Sequence, residues 1–271
     1  QTCALPIFLT KFICRPGAIG YRAGTADEFR KEASGIGFAA TPVQLSVPES
    51  WGLSDPLVIS AVENGAQIPI PEQVDLLGAK LARLAALRTG PDTRKRIALM
   101  FWNSPAGEKN FSASNLNVPR SVEAITTALH AHGYMVPPTS EERLIAAAQK
   151  MMGGYYRPET LETLEREGLA ARLPVRTYRT WLASLPQPVQ SELLKSRGAP
   201  EGHWAVRGKG ASAYFLVPRQ RLGNLLFLPQ PPRAGRVGEA THDTRSVPDH
   251  IYLAAYLMLR EREGTDALIH F

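Results

Sequence analysis

The chain has 271 residues, of which 44% are hydrophobic and 21% charged, a composition typical of a globular protein that buries a sizeable core. No stretch approaches the roughly 18 consecutive apolar residues of a membrane helix, so a membrane span is not expected. The formal charge of +6 admits an anionic partner, such as a carboxylate-bearing small ligand. The basic residues are scattered without interleaved aromatics, so nucleic-acid binding is not expected. Cys3 and Cys14 form no CxxC pair, which favours a reducing cytoplasm.

The two ends of the sequence are irregular. Residues 1–7 look like a translated sequencing adapter and are expected to be non-native. The last apolar strand stops at Phe271 without a turn or polar tail, so a truncated C terminus is expected. Between these ends we expect an N-terminal α/β segment over 8–92 and a second α/β segment over 93–271.

The N-terminal segment is predicted to begin with a strand at 8–14 and a capped helix from Thr25 to Ala33. Short β-prone runs follow at 42–47 and 57–62, and the chain from Asn64 is then predicted to be a loop.

Leucines recur at spacings of one, three and four residues between Pro71 and Arg88. This spacing predicts an amphipathic helix that closes the N-terminal segment. Its leucine face is expected to be core, and a groove for a partner helix is the alternative.

The second segment alternates apolar runs with helical patterns, which predicts an α/β fold with mixed, mostly parallel sheets and flanking helices. A helical insertion, expected to carry no chemistry, is predicted near 140–200. The predicted strands cover 94–102, 134–136, 214–217, 222–228 and 266–271. The loop after the first of these strands, from Asn103, is expected at the carboxyl edge of the sheet, where open α/β folds bind ligands.

Three of the six histidines, His242, His250 and His270, fall near the end of the chain. His242 precedes Asp243, and a carboxylate can fix the tautomer of an imidazole and raise its basicity. If the three histidines and Asp243 lie together at one sheet edge, they are predicted to accept protons or to transfer a divalent metal. Alternatively, His242 and Asp243 are a solvent-exposed pair on a turn, and His270 is a hydrogen-bonded core residue.

The remaining histidines and motifs indicate no chemistry. His130 and His132 complement the dipole at the end of a helix, and His203 beside Trp204 is uninformative. No HExxH or paired CxxC zinc signature, GxSxG element or phosphate-binding glycine loop is present in the sequence.

Several ordered motifs between Tyr21 and Phe271 resemble one family. They are Tyr21-Arg-Ala-Gly24, Pro69 to Glu72, Lys95 to Leu99 with Asn103-x-Pro105, Val118-Pro-x-Ser121, Gly223-Asn224 with Leu228-Pro-Gln-Pro-Pro-Arg233, His242-Asp243, Pro248-x-His250-x-Tyr-Leu-Ala-x-Tyr256, and Asp266 to Phe271. The chain thus resembles an internal fragment of the large subunit of cobaltochelatase, in the family of CobN and the magnesium chelatase large subunit. Asp249 departs from the family pattern, which more often has Ser, Pro or His there.

The resemblance implies part of a cytoplasmic, tetrapyrrole-binding subunit of an ATP-dependent cobaltochelatase, a ligase that forms nitrogen–metal bonds in cobalamin biosynthesis. Partner AAA+ subunits would hydrolyse ATP, cobalt or magnesium would be a substrate, and no tightly bound cofactor is expected. A magnesium chelatase H-type subunit and a non-catalytic tetrapyrrole-binding or structural module are the alternatives. The fragment alone is expected to be inactive.

The resemblance also suggests roles for individual residues. His242, Asp243 and His250 are the expected catalytic residues. Arg233, Gln230 and Arg236 are expected to bind the carboxylates of the macrocycle rim. His270, together with His242, is expected to contact the metal.

Overall fold

A computed structural model describes residues 18–19, 22–23, 25–27, 59–103, 107–110, 116–233 and 246–271. The chain divides into two compact units, residues 1–88 and 89–271. In these described ranges, none of the helices combines the length and apolarity that a bilayer crossing requires. The strands predicted at 8–14 and 42–47 lie outside the described residues, as does most of the helix predicted from Thr25.

The first unit contains two antiparallel strand pairs and a long helix in its described part. These elements are β1 (Ala18–Ile19), β2 (Arg22–Ala23), β3 (Ser60–Glu63), β4 (Ala66–Pro69) and α1 (Pro71–Thr89). The loop predicted after Asn64 is instead the second half of a hairpin, with Ser60 opposite Pro69. Asn64 and Gly65 both have positive φ, 52° and 77°. Positive φ at both central residues is the geometry of the type I′ turn that joins tightly paired strands.

Helix α1 confirms the amphipathic helix predicted from the leucine spacing. Its leucine face, however, is not core, because none of its residues is buried. Leu76, Leu81 and Leu84 are 49%, 43% and 47% exposed. Periodicity therefore identified the helix but not whether this chain covers its apolar face.

The second unit contains two sheets and six helices among its described residues. The strands are β5 (Ile97–Phe101), β6 (Ala170–Pro174), β7 (Val206–Arg207), β8 (Tyr214–Pro218), β9 (Gln220–Leu222), β10 (Leu225–Pro229) and β11 (Ala267–His270). The helices are α2 (Val118–Ala131), α3 (Glu141–Tyr156), α4 (Leu161–Arg166), α5 (Val175–Ala183), α6 (Gln187–Arg197) and α7 (His250–Leu257), which a π-helical turn (Met258–Arg262) extends.

The central sheet has the strand order β11-β5-β10-β9. Strands β10 and β11 both run parallel to β5, with Pro229 opposite Phe101 and His270 opposite Met100. Strand β9 is antiparallel to β10 and joined to it through Gly223. Gly223 has φ of 60°, and a Cβ there would lie 2.1 Å from the Met135 carbonyl oxygen. Only glycine fits this turn without moving the neighbouring backbone.

The core occupies both faces of the central sheet, as the continuous apolar runs of β5 and β10 require. Leu99, Phe101 and Phe227 face a cluster that includes residues of α2 and α3. Met100 and Leu228 face a second cluster, which includes residues of α5, α7 and β8. The sheet is therefore covered on both sides, and polar chemistry is expected only beyond its strand ends.

The second sheet is antiparallel, with the order β6-β8-β7. The helical insertion predicted near 140–200 does contain α3 to α6, but β6 also lies within that region and pairs with β8 along its whole length. The region of residues 140–200 contributes to the main core, since Leu173 and Tyr178 are fully buried. The prolines and glycines of this region divide the sequence into short segments, which are interpreted from the sequence alone as successive helices.

The mixed α/β class is confirmed. Parallel pairings are confined to the central sheet, whereas the other described sheets are antiparallel, so the sheets are mixed but not mostly parallel. The strand predicted at 134–136 is absent from the described second unit. That segment is instead an irregular connection whose Met135 carbonyl accepts the Asn224 N–H at 2.8 Å.

Candidate functional site

Three parallel strands end at one edge of the central sheet, where β5, β10 and β11 reach Phe101, Pro229 and His270. The Gln230 N–H donates to the Phe101 carbonyl at 2.8 Å, and the Phe271 N–H donates to the Met100 carbonyl at 2.9 Å. These bonds extend the ladder beyond the strands and hold the following side chains at the sheet edge.

Gln230, Tyr252, Tyr256 and His270 form a cluster that we call the sheet-edge cluster. The Gln230 side-chain amide donates to the Tyr252 and Tyr256 hydroxyls at 3.3 and 3.4 Å. The two tyrosine rings lie 5.1 Å apart, and the His270 ring stacks on Tyr256 at 6.0 Å. The edge therefore presents aromatic surface, an amide and an imidazole together, which suits a flat ligand with polar substituents.

Burial shifts the pKa values of two groups in this cluster, His270 and Tyr256. It lowers the pKa of His270 below its ordinary value, which favours the neutral imidazole that metal binding or proton acceptance requires. Burial, reinforced by the hydrogen bond with Tyr252, raises the pKa of Tyr256 far above its ordinary value, so this phenol stays protonated.

The loop after β5 meets the same edge through Asn103. The Asn103 Oδ1 accepts the Tyr156 hydroxyl at 2.7 Å, and its Nδ2 donates to the Gly107 and Asn110 carbonyls at 2.7 and 2.5 Å. Asn103 therefore organises the described part of this loop, which confirms that the loop follows β5 at its carboxyl end.

A second group, the buried polar cluster, consists of Tyr178, His203, Asp249 and His250. The Tyr178 hydroxyl and His250 Nδ1 are 2.8 Å apart, and His250 Nε2 lies 3.1 Å from the Gly198 carbonyl oxygen. A carbonyl only accepts, so Nε2 carries the proton and Nδ1 accepts from Tyr178. Burial lowers the pKa of His250, although the bond to Gly198 opposes the shift.

Asp249 and His203 form the other half of the buried polar cluster. His203 Nε2 lies 2.6 Å from Asp249 Oδ1, with both side chains more than nine-tenths buried. Burial alone would raise the pKa of Asp249, but its bond with His203 and the charges of His203 and Arg197 hold it below its usual range. Asp249 is therefore an anion inside the core.

The buried polar cluster adjoins the segment that leads into α7. The Asp249 N–H donates to the Arg233 carbonyl at 2.7 Å, which joins the end of the segment after β10 to the residue before α7. Arg197 also donates through Nε to the Val247 carbonyl at 3.0 Å. Side chains of α5, α6 and the Gly198–Trp204 connection thus hold residues 247–250 in place.

The chain matches a known protein family over most of its length. A family model described as CobN/Magnesium Chelatase matches residues 17–271. The chain belongs to the CobN/magnesium chelatase family. The family resemblance drawn from the ordered sequence motifs is thereby confirmed.

Relatives from both branches of the CobN/magnesium chelatase family are similar to the chain. The aerobic cobaltochelatase subunit CobN of Pseudomonas aeruginosa is 30% identical over 204 residues, 73% of the chain and 16% of that relative. The H-type magnesium-chelatase subunit of Rhodobacter capsulatus is 25% identical over 276 residues, 91% of the chain and 21% of that relative. The solved catalytic subunit of cobaltochelatase from Mycobacterium tuberculosis aligns with a TM-score of 0.70 at 25% identity, over 92% of the chain and 21% of that subunit. The chain spans about a fifth of these proteins.

The structure brings only some of the predicted site residues together. Gln230 and His270 both contact Tyr256 in the sheet-edge cluster, and Arg233 is half-buried. His250, predicted to be catalytic, lies inside the core, and both its ring nitrogens are engaged. His242, Asp243 and Arg236 lie outside the described residues, so their roles stay predictions. Within the described residues, no group of three or more His, Cys, Asp or Glu side chains could hold a metal.

Sequence reasoning missed His203, Tyr178 and the two tyrosines of the sheet-edge cluster as site components. Asp249 directly precedes His250, just as His242 directly precedes Asp243, so the same sequence pattern could have identified Asp249. His203 and Tyr178 are 46 and 71 residues before Asp249, and only the fold places them beside it.

Proposed function

We propose that this chain forms one wall of the tetrapyrrole cleft in the large subunit of an ATP-dependent cobaltochelatase. The family match over residues 17–271 carries the proposal. The alignment with an aerobic cobaltochelatase subunit supports the cobalt branch. In this assignment the full-length protein inserts cobalt into a corrin-ring precursor, and separate AAA+ subunits hydrolyse ATP.

The sheet-edge cluster is the proposed contact surface for the macrocycle. Tyr252 and Tyr256 would pack against its flat face, and Gln230 and Arg233 would bind its carboxylate or amide substituents. Arg236 would add a further charge. These residues bind and orient the macrocycle and supply no chemistry themselves.

Proton and metal transfer are assigned to His270, His242 and Asp243. Metal insertion requires removal of two pyrrole protons, which a neutral imidazole accepts and an imidazolium does not. His270 has the lowered pKa that this role needs. We assign His250 a positioning role, because both its ring nitrogens are bonded inside the core.

Metal insertion by the reconstituted full-length subunit, with its partner subunits, tests this assignment. The variants His242→Ala, His270→Ala and the double variant are compared with His132→Ala, an exposed histidine at the end of α2 whose Nδ1 bonds the Ala128 carbonyl. We expect the double variant to lose insertion by roughly 10²- to 10⁴-fold, the range for a lost general base. Corrinoid affinity, followed by absorbance, is expected to change much less.

Wild-type insertion by the double variant would remove both histidines from the mechanism. Comparison of Co²⁺ with Mg²⁺, and of a corrinoid with a porphyrin, separates the cobaltochelatase assignment from an H-type magnesium chelatase. Preference for Mg²⁺ and porphyrin would favour the latter.

A non-catalytic tetrapyrrole-binding wall is the second candidate. The described residues contain no three-ligand metal group, which favours binding over metal handling in this part of the subunit. Loss of corrinoid affinity in Tyr256→Ala, with normal insertion by the histidine variants at saturating corrinoid, would select this candidate.

A further inference from the structure

A polar cleft of about 520 Å³ is lined by residues of β6, β9, α4 and the segment before β11. We call it the arginine cleft, and its charged residues are Arg172, Arg219, Arg221, Arg262, Glu165 and Glu263. Among the described lining residues, the only apolar side chains are the methyl groups of Ala170 and Ala171. A wall of this kind offers no surface for an aromatic ligand and many donors for a polar one.

The arginine cleft has more positive than negative charge. Glu165 is paired with Arg172, and Glu263 is shared between Arg221 and Arg219, whose Nε lies 4.0 Å from the nearer carboxylate oxygen. Within the described residues, Arg262 has neither an ion-pair nor a hydrogen-bond partner. Four arginines therefore face two carboxylates, and both carboxylates are already engaged.

Arg219 is the most constrained of these cations. It lies where the chain passes from β8 in the antiparallel sheet to β9 in the central sheet, and its side chain is 16% exposed. Its Nη1 donates to the Gly168 carbonyl at 3.2 Å, but its buried Nε has no hydrogen-bond acceptor among the described residues. An unmet buried donor of a charged group is costly unless a further acceptor enters.

The electrostatic field at Arg219 also favours an additional negatively charged acceptor. Burial lowers the pKa of Arg219, Glu263 opposes the shift, and the charges of Arg221 and Arg262 lower it further. Like charges are thus held together around a polar cavity, an arrangement that a bound anion stabilises.

We propose that the arginine cleft is a binding site for a multiply charged oxyanion whose phosphate or carboxylate oxygens bridge Arg219, Arg221 and Arg262. Guanidinium groups bind such oxygens through paired, charge-assisted hydrogen bonds. The flexible, exposed Arg262 side chain would close over the ligand, and the fixed Arg219 would define the floor.

This site is separate from the sheet-edge cluster. Glu263 lies just before β11, and its carbonyl accepts the Arg96 Nη1 at 3.0 Å, just before β5. The arginine cleft therefore adjoins the amino-terminal ends of β5 and β11, whereas the sheet-edge cluster lies at their carboxyl ends. Its occupancy does not depend on the proposed metal insertion.

Isothermal titration calorimetry of the 271-residue chain with pyrophosphate, and separately with tricarballylate, tests the proposal at low ionic strength. We expect at least one of them to bind with a dissociation constant below about 1 mM, weakening as salt screens the charges. Tighter binding of pyrophosphate identifies phosphate as the ligand class, and tighter binding of tricarballylate identifies carboxylate.

Arg262→Gln is the decisive variant, because the exposed Arg262 has no partner within the described residues whose loss would disturb folding. It is expected to weaken binding about tenfold through loss of a charge-assisted contact. Arg260→Gln is the matched control on the same segment, since Arg260 is paired with Glu261 and does not line the cleft. Failure of both anions to bind, or equal weakening by the two variants, would overturn the proposal.

Discussion

The bond from Tyr178 to His250 provides a direct test of the buried polar cluster. Tyr178→Phe removes the hydroxyl that lies 2.8 Å from His250 Nδ1, while the ring that packs against Phe215 and Trp181 is retained. Both Tyr178 and His250 are 0% exposed, so water cannot replace the lost donor without rearrangement. A buried acceptor left unsatisfied costs about 1–3 kcal/mol.

This cost converts into a measurable shift in melting temperature. The unit of residues 89–271 falls in the size class where 1 kcal/mol shifts the midpoint by roughly 2–4 °C. The expected decrease for Tyr178→Phe is therefore about 2–12 °C, measured by circular dichroism, with urea unfolding giving the free energy directly. Tyr214→Phe is the control, because the half-buried Tyr214 makes no hydrogen bond through its hydroxyl among the described residues.

Burial of His250 gives the buried polar cluster a pH signature as well. The folded-state pKa of His250 is lowered below 6.5, so the unfolded chain binds more protons once the pH falls below that value. Stability from His250 is therefore complete above about pH 6.5 and decreases as the pH falls toward the folded-state pKa. A Tyr178→Phe stability within about 0.5 kcal/mol of wild type would refute the assigned hydrogen bond.

Three further perturbations test the fold and the sheet edge. Gly223→Ala is expected to lower the free energy of unfolding in urea by about 2 kcal/mol or more, because the added Cβ would clash with the Met135 carbonyl. Gly202→Ala is the control, because the space around Gly202 is open and little change is expected. By the same measurement, Leu99→Ala is expected to lower the free energy of unfolding by about 2–5 kcal/mol, because Leu99 is fully buried. Leu81→Ala, on the exposed face of α1, is expected to lower it by less than about 1 kcal/mol, and equal losses would contradict the assigned burial. Gln230→Ala is expected to weaken corrinoid binding by the full-length subunit about tenfold in an absorbance titration, and unchanged affinity would argue against its contact role.

The buried Asp249–His203 pair couples two segments that are far apart in the sequence. Asp249 is a buried anion, and its backbone N–H donates to the Arg233 carbonyl. Because the two partners are buried together, a change at either one leaves the other unpaired in the core. The surroundings of Asp249 are therefore sensitive to substitutions far from it in sequence, such as those at His203.

Local sequence was sufficient to identify most of the individual elements. The apolar runs of β5 and β10 identified strands covered on both faces, and the leucine spacing identified α1. The ordered motifs identified the family, because a long series of matches is specific where each one alone is weak. All these signals depend on residues close together in the chain, where spacing and propensity act directly.

Only the tertiary structure decided which elements meet. Strand β11 lies beside β5 across 170 residues, β6 leaves a helical-looking region to pair with β8, and Tyr178 and His203 converge on the Asp249-His250 corner. The leucine face of α1 has the same pattern as a core face, yet none of its residues is buried. Periodicity shows which side of an element is apolar, but burial and hydrogen bonding depend on the partner that the rest of the chain brings to it.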